Sequence, residues 1–228
     1  MSRLFIHIPK NGGMTIRRNP TLRSKVIICG AETHKSKQYT QAVAKTMEKY
    51  GEHHGFEHAR WRDVHPDLTS KYKAFAIIRN PWSRVISRFM FAKKVIEVEE
   101  DSDHYGETDY ADTSSLEAFL EERHKWAGID HFWHRAIRGW YSAFDHVSDE
   151  EGKVRCDCLR FEHYNDDIKT YLGVLENPPP RNVTGLVKGS WQELYNPKTI
   201  QIVADWYQKD IDYWGFDFDT AATRNYWK

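Results

Sequence analysis

The sequence predicts an α/β fold with a central, mainly parallel sheet flanked by helices, and three observations predict it. Leu4-Phe5-Ile6-His7-Ile8, Val26-Ile27-Ile28-Cys29 and Ala74-Phe75-Ala76-Ile77-Ile78 are short, nearly unbroken apolar runs, the pattern of strands buried on both faces. Each run ends at a turn former: Pro9, Gly30 and Arg79-Asn80-Pro81. Helical stretches lie between and after them, and strands alternating with helices indicate a parallel sheet. At 228 residues the chain is expected to be one domain over 1–228, able to bury a full core without staples.

In chain order, the first strand stops at Pro9 and a helix is expected to start near Met14. Further helices are expected over 38–50, over 81–94 with Pro81 at the first helical position, and over 116–125, the last behind a Ser114-x-x-Glu117 capping box. Cys156-x-Cys158 reads as strand with both thiols on one face. A late helix from Pro197 carries Ile200, Val203, Ala204, Tyr207 and Ile211 on one stripe, which is core packing. Two segments break the alternation. From Glu97 to Asp112 there are eight acidic residues and no Lys or Arg, so a solvated loop or lid is expected over about 97–114. Leu175 to Trp191, with Pro178-Pro179-Pro180, reads as irregular backbone.

Composition excludes several function classes. Lys+Arg of 33 against Asp+Glu of 33 leaves no basic excess, so no nucleic-acid partner is expected and any anion site must be local. No apolar run approaches the ~20 residues of a membrane span, and with Met1 so close to Leu4 no secretory leader is expected. Three cysteines are an odd count that fits a reducing, cytoplasmic setting. Aromatic content of 14% argues against disorder.

Two constellations carry chemistry. Pro9-Lys10-Asn11-Gly12-Gly13-Met14-Thr15 joins a buried strand to a helix. Paired glycines permit a tight turn with exposed N–H groups and Lys10 adds a full charge, a phosphate cradle in outline. The same spelling also serves an ordinary strand-to-helix turn. It is not a Walker A loop, because no G-x-x-x-x-G-K-[ST] string occurs. The second constellation is Arg79, ending the strongest strand, with Ser87 eight residues on in the helix begun by Pro81. A guanidinium and a hydroxyl so placed can converge on one phosphate, whereas each taken singly is equally a cap or a helix back-bonder.

In this order, Phe5-Ile6-His7-Ile8-Pro9-Lys10-Asn11-Gly12-Gly13 and Phe75-Ala76-Ile77-Ile78-Arg79-Asn80-Pro81-Trp82-Ser83-Arg84-Val85-Ile86-Ser87 resemble the two nucleotide motifs of sulfotransferases that use 3′-phosphoadenosine 5′-phosphosulfate (PAPS), in the carbohydrate-type, bacterial-like branch. Leu159-Arg160-Phe161-Glu162, Tyr171-Leu172-Gly173, Asn182, Tyr207-x-x-Asp210 and Trp214-Gly215-Phe216 are similar to that family's C-terminal half. The resemblance implies a P-loop-like three-layer fold, PAPS as sulfate donor and adenosine 3′,5′-bisphosphate (PAP) as product. It implies that Lys10 and the backbone of Asn11, Gly12, Gly13, Met14 and Thr15 hold the 5′-phosphosulfate, and that Arg79 and Ser87 hold the 3′-phosphate. Met14 stands where the family commonly has a hydroxyl, and Met cannot donate. Lys188-Gly189 is similar only in part to the family's closing Arg-Lys-Gly string.

Sulfuryl transfer also needs a base near the sulfur. Glu52-His53-His54-Gly55-Phe56-Glu57-His58 supplies candidates, and resemblance to the His-containing segment ahead of the family's Arg-Asn-Pro motif puts His58 first, with His54 and Glu57 in reserve. No metal is expected: His54 and His58, or His131 and His134, lack further ligands at suitable spacing. Asn182-Val183-Thr184 is a glycosylation sequon by spelling only. Glu162 reads as a partner for a nearby arginine. The acceptor is expected to be a small molecule or carbohydrate, and an acidic loop beside the cleft would favour a neutral or cationic one. Two other classes compete: a nucleotide or sugar kinase, and a non-catalytic nucleotide-binding module.

Overall fold

The computed structural model describes residues 2–99, 111–175 and 190–228; Lys188, Asn182, the three consecutive prolines and most of the acidic segment lie outside them. Four strands, β1 (Arg3–Ile6), β2 (Val26–Ile28), β3 (Ala74–Ile78) and β4 (Asp157–Arg160), form one sheet in the order β2-β1-β3-β4. All three pairings are parallel, with Leu4 opposite Ile27 and Ala74, and Ala76 opposite Cys158. The C-terminal ends of β1 and β3 are therefore neighbours, and the two nucleotide-type turns leave the sheet side by side.

Strand alternation sorts the core into two layers. Leu4, Ile6, Ala74, Ala76, Ile78 and Cys158 face one side, packed with α3 (Lys37–Lys49), α5 (Pro81–Glu99), α6 (Leu116–Trp126) and α9 (Pro197–Trp206). Phe5, Val26, Phe75, Ile77 and Leu159 face the other, against α1 (Gly13–Arg18), α2 (Pro20–Arg23) and α8 (Tyr164–Leu172). Helices thus cover both faces of a parallel sheet, the expected three-layer, P-loop-like layout. Short α4 (Pro66–Lys71), α7 (Ala143–Val147) and α10 (Gln208–Trp214) complete the helices. Among the described residues, no helix is long and apolar enough to cross a membrane.

Some expectations change at the element ends. Ser115, not Ser114, caps α6 by accepting from Ala118 N at 3.0 Å, while Ser114 turns its hydroxyl to Asp112 Oδ1 at 2.6 Å. One residue decides this, because a cap oxygen must lie three residues before the amide it accepts from. The late stripe is shared by two helices, since the chain breaks at Tyr207 between α9 and α10. Cys158 is buried in β4, and Cys156, just ahead of the strand, packs against the same core. Both thiols are pushed up by burial, so they are inert apolar fillers.

Asn80 ties the C-terminal segment to the sheet. Its Oδ1 caps α5 by accepting from Trp82 N and Ser83 N at 3.0 and 3.1 Å. Its Nδ2 shares hydrogens among the carbonyls of Asp217, Thr220 and Phe218 at 2.9, 2.9 and 3.3 Å. Asn80→Ala removes a helix cap and leaves part-buried carbonyls without their donor, so unfolding in urea should show a loss of about 1–3 kcal/mol.

Candidate active site

The Lys10 turn is shaped by what crowds it. Lys10 itself has a left-handed backbone, φ 67°, a conformation unusual for a side chain with a Cβ. Gly12 has φ 80°, and a Cβ there would meet the Tyr164 ring at 2.9 Å and Phe161 at 3.1 Å. Gly13 needs no unusual φ; it is glycine because the His7 ring occupies its side-chain space, 2.0 Å from an ideal Cβ. Asn11 is buried and donates from Nδ2 to Ile77 O at 2.7 Å, pinning the turn to β3. The amides of Asn11 and Thr15 are already bonded to the carbonyls of Ile8 and Gly12. Of the expected backbone cradle, the amides of Gly12, Gly13 and Met14 make no backbone hydrogen bond.

The arginine side meets this turn directly. Arg79 Nη1 donates to Lys10 O at 2.9 Å, Arg79 Nε donates to Ser83 Oγ at 2.7 Å, and the guanidinium lies 4.0 Å from the Phe161 ring centre. Ser83, Ser87 and Phe91 succeed one another at four-residue spacing on α5, so they share a helix face. Lys10 Nζ rests 4.0 Å from the Phe91 ring centre, which leaves Ser87 between the docking points of Arg79 and Lys10. Arg84 donates to Pro9 O and Tyr141 O at 3.3 and 3.0 Å. Arg88 donates to Ala136 O and Tyr207 Oη at 3.1 and 3.0 Å. Burial, with Arg79 and Arg88 nearby, pushes Lys10 down to about 7.

Beyond Lys10 opens a cavity of about 550 Å³ lined in part by His7, Met14, Arg18, Glu57, His58 and Phe91. His58 Nδ1 lies 2.8 Å from His7 O; a carbonyl can only accept, so Nδ1 carries the proton and Nε2 is bare. Burial drives His58 down to about 4, against the opposing pull of Glu57, and keeps it neutral at pH 7. Glu57 also lines the cavity, but its carboxylate is bound by Arg17 at 2.9 Å; although burial alone would raise it, His58 and Arg17 leave it lowered. His54 is exposed, its ring centre 5.3 Å from that of Phe56 with the planes tilted by 38°, and is not part of the lining.

A lysine turn and an arginine turn at adjacent strand ends, with a neutral histidine across a cavity, are found in the stretch that the model of the sulfotransferase family matches, residues 3–138. The chain belongs to the sulfotransferase family. Neither the curated proteins nor the solved structures returned a significant match.

In this sulfotransferase the structure draws together Lys10, Asn11, Gly12, Gly13, Met14, Thr15, Arg79 and Ser87 around one turn, with His58 and Glu57 on the neighbouring cavity wall. Lys188 falls outside the described residues. Among the described residues no three metal-ligating side chains come together. Glu162 accepts from Asn80 N at 2.8 Å; burial raises it, while Arg79 pulls it the other way. Several polar residues of the site have no sequence motif. Glu52 bridges Arg135 and Arg138, the latter at 2.8 Å, on the cavity wall, and the His134 ring fills the side-chain space of Gly55, which has φ 60°. His7 had one visible signal, as the lone polar residue in the first apolar run.

Gly13→Ala forces a methyl into the His7 ring. Differential scanning calorimetry should show a destabilisation of about 1–3 kcal/mol, the range for overpacking a filled site.

Proposed function

We propose that this sulfotransferase moves the sulfuryl group of PAPS, in line, to a hydroxyl of a small-molecule or carbohydrate acceptor, with His58 as general base. The observation that carries the reading is the direct bond from Arg79 to the Lys10 carbonyl. It joins the two turns into one cationic surface, with Arg84 and Arg88 behind it bonded, among the described residues, to carbonyls and a tyrosine hydroxyl and to no carboxylate. Such a surface fits a ligand with several negative charges about one nucleoside length apart.

The residues fit that donor. Lys10 is held near neutrality by burial among like charges, a penalty that an anion relieves. When bound, the donor supplies an electrophilic sulfuryl group and a bisphosphate leaving group. Arg79, with Ser87 one helical turn beyond its partner Ser83, holds the 3′-phosphate; Lys10 and the amides of Gly12, Gly13 and Met14 hold the 5′ end; and Lys10 neutralises charge on the bridging oxygen. His58 Nε2, bare because Nδ1 is committed to His7 O, takes the acceptor's proton. Of the charged groups on the described wall, Glu52 and Glu57 are paired with arginines, so neither stands free to select a cationic acceptor, which supports a neutral one.

Titration calorimetry should show PAP binding without a divalent metal and well ahead of ATP with Mg²⁺; the reverse order would favour a kinase. Arg79→Ala should weaken PAP by about 1.5–3 kcal/mol, the range for a charge-assisted bond, and unchanged affinity would place the 3′-phosphate elsewhere. His58→Ala should keep PAP affinity and lose transfer from PAPS, whereas full activity would dismiss His58 as base.

The pH dependence has a definite sign. Free Lys10 titrates at about 7 and anion binding raises it, so the protonated form binds tighter. PAP affinity should therefore fall as pH rises from about 7 to 9, by up to about tenfold per unit, with proton uptake visible in buffers of different ionisation heat. A flat profile in wild type would show that Lys10 does not meet the anion.

A further inference from the structure

Of the four histidines that line the cavity next to Lys10, His7 and His58 stand against each other, and of that pair only His58 has a role in the scheme above. The His7 and His58 ring centres lie 4.2 Å apart, tilted by 44°, and the main-chain carbonyl of His7 fixes the His58 tautomer. His7 is 3% exposed, and its two nitrogens differ. Nδ1 is sealed and without a partner. Nε2 is turned to the lysine turn, where an ideal Cβ on Gly13 would lie 2.1 Å from it. Burial, with His58 and Arg17 nearby, lowers the His7 pKa well below its usual range, so the ring is neutral and carries one proton. On Nδ1 that proton would be a buried donor with nothing to bond, the rarer and costlier kind of orphan. On Nε2 it becomes an N–H presented at the turn. The adjacent rings thus take opposite tautomers: His58 offers a bare Nε2 and His7 a protonated one.

We propose that His7 is a second catalytic residue, its Nε2–H donating to a non-bridging oxygen of the sulfuryl group while His58 Nε2 takes the acceptor's proton. This rests on the sulfuryl-transfer reading above. In the step, the acceptor oxygen bonds to sulfur and the bond from sulfur to the bridging oxygen breaks, its electron pair staying on the bisphosphate beside Lys10. The acceptor's proton ends on His58 Nε2, and His7 keeps its own. A fixed donor placed where charge shifts during transfer needs no reorganisation. It also explains why Gly13 must lack a side chain although its φ demands none: a larger residue would displace the His7 ring.

The test compares two probes that differ only in the sulfuryl group, PAPS and PAP, by calorimetry on the full chain without acceptor. His7→Phe keeps a ring in the space and removes the donor, and it should lower the PAPS-to-PAP affinity ratio about tenfold with PAP itself within about twofold. His7→Gln, whose amide can place an N–H near the same point, should recover most of the ratio. An unchanged ratio in His7→Phe, or equal loss of both ligands by a folded protein, overturns the proposal. Should His7→Phe fail to fold, ¹⁵N spectra of the wild-type histidines decide. A His7 protonated at Nε2 whose signal moves with PAPS and not with PAP supports the role; protonation at Nδ1, or equal movement with both, overturns it. Wild type that binds neither nucleotide removes the sulfuryl-transfer reading and this one with it, while binding of both with a ratio blind to His7 removes this one alone.

Discussion

Positive charge held against main-chain carbonyls, with too few carboxylates among the described residues to balance it, is the constraint on which this structure depends. The chain is neutral overall, with 33 basic and 33 acidic residues, yet Lys10, Arg79, Arg84 and Arg88 gather where β1 and β3 end. Arg84 and Arg88 are 2% and 0% exposed, and their hydrogen bonds run to the carbonyls of Pro9, Tyr141, Ala136 and Ile137 and to the Tyr207 hydroxyl. Glu162 near Arg79 and Asp210 near Arg84 offset the cluster only in part, and burying uncompensated charge is unfavourable, so the surrounding fold has to hold it. Burial first, and then Arg79 and Arg88 beside it, lower Lys10 in the same arrangement.

Much of the remaining chain serves as that support. Asn80 fastens the arginine turn to the carbonyls of 217, 218 and 220, and Glu162 holds the Asn80 amide from the end of β4. Asp210, pushed up to about 6 by burial, accepts from the amides of Ala143 and Phe144 and so seats α7. Tyr207 meets Arg88, and Trp227 N closes on Cys158 O at 2.9 Å. Glu162, Tyr207 and Asp210 of the C-terminal motifs that resemble the family therefore act as struts, while Phe161 packs on Arg79 and the Gly12 turn.

Clearance is the second device. Gly12, Gly13 and Gly55 each lie against an aromatic ring: Tyr164 with Phe161, His7, and His134 respectively. Each glycine lets a backbone segment settle onto a ring, which sets the depth of the lysine turn and of the loop bearing His58. Packing of this kind fixes positions to a fraction of an ångström, the tolerance that in-line transfer requires.

The sequence by itself determined the apolar strands, a mainly parallel layering and the two nucleotide-type turns, because buried parallel strands write themselves as apolar runs and turns as Pro, Gly and Asn. It also named Lys10, Arg79, Ser87 and His58 through the resemblance to the sulfotransferases. Only the tertiary structure decided that Arg79 docks on the Lys10 carbonyl across 69 residues, that the His7 carbonyl sets the tautomer of His58 across 51, and that Glu57 is occupied by Arg17. The same holds for Gly13, whose need for bareness comes from a ring six residues earlier and not from its own backbone. The physical reason is one of range. Burial pattern and turn chemistry are local properties that periodicity records, whereas the partner of a hydrogen bond or the neighbour of a missing side chain is set by how distant segments meet.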